Sequence, residues 1–90
     1  MKKQKEIVRI LENIEQLEKS TNQELAEISP QLKDELLPVL MDKGLEFSHD
    51  QLNPEKLQKI QQLVEELKKF PDSEELNRVK SDLKNLHFDV

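Results

Sequence analysis

Two short pairs offer acid–base chemistry in this chain: His49 beside Asp50, and His87 two residues before Asp89. An imidazole next to a carboxylate is the raw material of a general base or of half a metal site. A base also needs a substrate pocket and a partner held within hydrogen-bond reach. A metal needs three or four converging ligands. Neighbours on a connector supply neither, so both pairs read as ordinary surface residues.

Glu12, Glu15 and Glu18 form a third candidate, three carboxylates at intervals of three. Helical-bundle metal centres pair such a glutamate with a histidine three residues on, both aimed inward. None of these three glutamates has a histidine there. They also lie opposite the apolar stripe of their own segment, so they face water or a basic partner. The chain has no cysteine and a single glycine. That leaves no thiolate nucleophile, no thiolate metal site and no phosphate-cradling loop. No serine stands in a catalytic motif. The expectation is a protein that is not an enzyme and carries no cofactor or metal.

The elements that position these residues follow from the apolar spacing. Ninety residues make one domain with a modest core. Charged residues are 37% and apolar ones 34%, a balance that would suit a disordered chain if the apolar residues did not recur periodically. With few β-branched residues and no Trp or Tyr, a sheet is not expected. Ile7, Ile10, Leu11, Ile14 and Leu17 share one helical face and predict a helix over about 3–19. Thr21 with Glu24, or Ser20 with Gln23, offers a capping box for a second helix over 22–28. The alternative is one helix from 3 to 28.

Ser29 and Pro30 suit a cap and a first helical residue, predicting a helix over 30–43 that Gly44 stops. Pro38 inside it predicts a kink or a restart. Asn53 and Pro54 begin the next helix, over 54–69, with Leu52 placed as a hydrophobic staple to Leu57. "FSHDQLNPEK" is therefore a junction, and its histidine reads as incidental. Asp72 with Glu75 caps the last helix, over 73–87, whose stripe is Leu76, Val79, Leu83 and Leu86. Phe88 is a further anchor, and the tail "FDV" frays unless Phe88 docks. None of these helices is stable alone. Burying their apolar faces together predicts an all-α fold, a small antiparallel bundle of four to five short helices forming a single domain over 1–90.

Charge then points to a role. The net charge is −5, and residues 12–50 hold ten acids against three bases, a segment net of −7. Such a segment repels nucleic acid and attracts a basic partner. The predicted binding residues are the acids Glu12, Glu15, Glu18, Glu24, Glu27, Asp34 and Glu35, together with an apolar seam of Leu36, Leu37, Leu40 and Met41 from the uncharged run "LLPVLM". The expected role is a small acidic protein-interaction module that binds and inhibits, shields or adapts another protein, and a homodimer is the other way to cover the seam. The alternative is a helical transcriptional or nucleic-acid-associated regulator using Asn77, Arg78, Lys80 and Lys84 with a basic arm of Lys2, Lys3, Lys5 and Arg9. That set is thin for reading base edges, and nucleic acid is not expected as a partner. No apolar run reaches membrane-spanning length and none resembles a secretory signal, so the expected location is cytoplasmic, without a membrane.

Overall fold

Each apolar stripe is realised as a helix. α1 spans Lys2–Glu18, α2 Gln23–Lys43, α3 Pro54–Leu67 and α4 Glu74–Asn85, with a single 3-10 turn at His49–Gln51 between α2 and α3. The computed structural model describes residues 2–89. Of the tail expected to fray, Val90 lies outside the described residues, and Phe88 is buried in the core.

The chain does break between α1 and α2, but the cap is neither Ser20 nor Thr21. The Asn22 side chain accepts from the amides of Glu24 at 3.1 Å and Leu25 at 3.3 Å. The second break, expected at Ser29, does not occur. The predicted helices 22–28 and 30–43 are one helix, α2, with Pro30 and Pro38 inside it. Ser29 is fully buried, and its hydroxyl donates to the Leu25 carbonyl at 2.8 Å instead of capping. Both prolines are exposed. The carbonyls of Ala26 and Asp34, which lose their helical donors to the proline rings, belong to that outer side, where water can serve them. A buried proline would have left the same gap without a donor.

Gly44 closes α2 as expected, its amide donating to the Leu40 carbonyl at 2.9 Å. Asn53 opens α3 as expected, accepting from the Glu55 amide at 2.8 Å. At α4 the cap is Ser73, which accepts from the Leu76 amide at 3.2 Å. The predicted cap, Asp72, faces Lys80 instead, 3.4 Å away.

α1 packs against α2 and α4, and α2 packs against α3. Side-chain pairs give the directions. Asn13 meets Asp82 while Gln16 meets Arg78, so α1 and α4 are antiparallel. Glu35 pairs with Lys56 while Ile28 and Phe70 line one hollow, so α2 and α3 are antiparallel too. The short turn after Glu18 reverses α1 into α2. The result is an up-down-up-down bundle with one shared core, drawn from every helix and from Phe47, Leu52, Leu86 and Phe88 outside them. Its radius of gyration, 12.3 Å, is what a chain of this length reaches when it folds fully on itself, about 12 Å.

Candidate protein-binding surface

The acids foreseen as a binding face are on the outside, but not in one patch. Glu12, Glu18, Glu24, Glu27 and Asp34 are exposed, and none has an ion pair among the described residues. Glu15 and Glu35 are half-buried and committed: Glu15 to Lys33 across the α1–α2 contact, Glu35 to Lys56 at 3.0 Å across the α2–α3 contact. Glu24 and Glu27 line a hollow with Glu66, Lys69 and Phe70 on the α3 side. Glu12, Glu15 and Glu18 lie on α1, with Asp34 near them on α2.

The pKa of Lys33 is raised above the ordinary 10.5, first by its hydrogen bond to Glu15, against a partial loss of solvation that lowers it, and then by the nearby charges of Glu15, Glu18 and Asp34.

The four residues of the expected apolar seam divide. Leu37 and Met41 are exposed, but Leu36 and Leu40 are buried in the core. The reason is the unbroken α2. Once the helix continues through Pro38, its phase carries Leu32, Leu36, Val39 and Leu40 inward and turns Leu37 and Met41 away. Val8 joins these two as a third exposed large apolar residue, which reading α1 as a plain amphipathic helix passes over.

Of the two histidine pairs, the structure gives a packing role to His49. His49 is not incidental: its ring stacks on Phe88 at 4.5 Å between centroids, and its Nε2 lies 3.3 Å from the Leu86 carbonyl. It fastens the α2–α3 connector to the end of α4. Glu46 stands three residues ahead of it, the spacing of a bundle metal ligand pair, but in the connector and not on a helix, with Glu46 exposed. Among the described residues no three histidine, aspartate or glutamate side chains converge as a metal would need.

One functionally suggestive group was missed. Asp82 is buried, 4% exposed, on the inner face of α4. It accepts from Asn13 Nδ2 at 2.8 Å and pairs with Arg9 at 3.4 Å. The signal was present, since Asp82 falls three after Val79 and four before Leu86, on the apolar stripe itself. Arg9 is thereby tied to α4, and Arg78 is held by Gln16 at 3.5 Å and Glu74 at 4.0 Å. These are the only arginines in the chain. The side chains of Lys2 and Lys3, part of the basic arm, lie outside the described ones.

Among the described residues no helix is long and apolar enough to cross a membrane. No family model, curated protein or solved structure matches the chain.

Proposed function

We propose that the chain is a small protein-interaction module that holds another protein, one with a basic surface, and thereby inhibits, shields or adapts it. The observation that supports this is the state of its charges. Glu12, Glu18, Glu24, Glu27 and Asp34 are exposed on the α1–α2 hairpin without an ion pair among the described residues, against Lys5 and Lys19 as the exposed bases in the same state there. The balance of unpaired charge among the described side chains of this hairpin is therefore negative. Such charge steers encounter and selects partners more than it adds affinity. The nucleic-acid alternative would set this excess of acid against a phosphate backbone.

The test is capture from lysate of the native host, followed by kinetics with the captured protein. Replacing Glu12, Glu15 and Glu18 with lysine should slow association by about ten- to a hundredfold at low salt and by less at high salt. An unchanged rate at both would leave that face merely solvated, and failure to capture any protein would remove the reading.

A further inference from the structure

α2 and α3 run antiparallel, so the start of α2 lies beside the end of α3. Between them is an open hollow of about 520 Å³, room for one long side chain. Its apolar lining is Ile28, Phe70 and Pro71, the first two half-buried and the last exposed. Its charged lining is Glu24 and Glu27 from α2, with Glu66 and Lys69 from the α3 side. All four are exposed, and none has an ion pair among the described residues. Three carboxylates against one ammonium leave an excess of two negative charges around an aromatic ring.

The start of α2 would favour an anion, but the amides that would hold one, those of Glu24 and Leu25, are already taken by the Asn22 side chain. The end of α3 is the negative pole of its helix and draws cations. Other hollows lack this combination. At Val8, Lys5 and Arg9 stand against Glu12 alone. Between α1 and α4, Arg9 and Arg78 offset Glu74 and Asp82. Beside the tail, Glu65 and Asp89 share Lys68. Unpaired carboxylates and an accessible ring meet at the α2–α3 hollow.

We propose that this hollow takes one arginine side chain of the partner protein, its stem on Ile28 and Pro71, its guanidinium on the Phe70 ring and donating to the glutamates around it. A guanidinium fits better than an ammonium. It is planar and weakly hydrated, stacks on an aromatic face and offers five donors to carboxylates on two walls. The proposal rests on the binding reading above and names its site and its ligand.

The whole isotope-labelled chain, titrated with a short alanine–glycine peptide holding one arginine, tests it by amide chemical shifts. The largest changes should map to Glu24, Glu27, Ile28, Lys69 and Phe70, with a Kd on the order of 1 mM. The same peptide with citrulline, which keeps the shape and loses the charge, should leave the spectrum unchanged. One with lysine should bind about threefold more weakly. Glu24→Gln with Glu27→Gln, both at exposed sites, should weaken the arginine peptide about fivefold and flatten its salt dependence. Lys69→Gln should strengthen it about twofold, a gain that a merely structural role would not produce. Arginine and citrulline peptides binding alike, shifts centred outside this hollow, or no shift at about tenfold the expected Kd would overturn the site. Equal binding of the lysine peptide would overturn the choice of arginine. The titration uses no captured partner, so its failure leaves the binding reading standing, and failure of the capture leaves the titration's result in place.

Discussion

His87 has a backbone φ of 72°, alone among the described non-glycine residues. It follows the cap of α4, where the His87 amide returns to the Lys84 carbonyl at 2.9 Å and the Phe88 amide to the Leu83 carbonyl at 3.0 Å. This is a Schellman ending, and its left-handed position favours glycine because a Cβ crowds the backbone there. What holds a histidine in it is the residue that follows. Phe88 is buried, as is Leu83, so the turn is set by docking an aromatic ring. His87→Gly should therefore raise stability by up to about 1 kcal/mol, the strain relieved less the extra freedom of the unfolded chain. The urea midpoint should rise with no change in slope. Gly44 is the converse. Its φ of 78° and ψ of −152° belong to a region that only glycine adopts readily, and nothing lies within 4 Å of where a Cβ would stand. Gly44→Ala should cost about 1–3 kcal/mol by backbone strain alone. The helix stop at Gly44 was legible because a lone glycine followed an apolar run. The one at His87 was not, because nothing about histidine announces it.

Among the elements, α2 shows where periodicity can be read and where it misleads. The inward residues of α1, α3 and α4 follow from spacing alone, and all but Leu11, Leu57 and Phe70, which are half-buried, are buried. In α2 two prolines invited a division into short helices. Dividing it discarded the phase relation between Leu32 and Leu40, so Leu36 and Leu37 looked equivalent when they point apart. The caps misled for a related reason. Ser20, Thr21 and Asn22 stand in a row, as do Asp72 and Ser73, and their capping strengths are similar. The choice between them is made by the rotation that brings Leu25 or Leu76 into the core. The α1–α2 contact also carries a pH signature. Lys33 has its folded-state pKa raised above 10.5 by the Glu15 hydrogen bond. Its stabilising contribution is fully present below the ordinary lysine pKa and is lost as pH rises through the raised value. Denaturant melts of the native chain and of Glu15→Gln should therefore differ at neutral pH and converge in strongly alkaline solution.

At the scale of the whole molecule, Asp82 joins the first helix to the last. Asn13 and Asp82 are 69 positions apart, and their bond is made inside the α1–α4 contact. The two partners of the carboxylate are unequal. Arg9 is 58% exposed, so its ion pair is worth little, under about 1 kcal/mol, because water competes for the guanidinium. Asn13 is half-buried and loses a charge-assisted bond if the carboxylate goes. Asp82→Ala should cost about 2 kcal/mol and Arg9→Ala well under half of that, compared by urea melts of the two variants. An outcome in the reverse order would make Arg9 the principal tie. Burial of this aspartate is the largest departure from the pattern that spacing predicts, since a charged residue takes a place in the stripe that would suit a leucine.

The same distance along the chain has a kinetic meaning. α1 with α2, and α2 with α3, are hairpins that can zip as soon as their turns form, whereas the asparagine and the aspartate must first find one another across nearly the full contour. Loop-closure entropy is repaid only at that moment, so the clasp forms late and opens early. Weakening the clasp would shorten the lifetime of the native state and leave the speed of reaching it almost untouched.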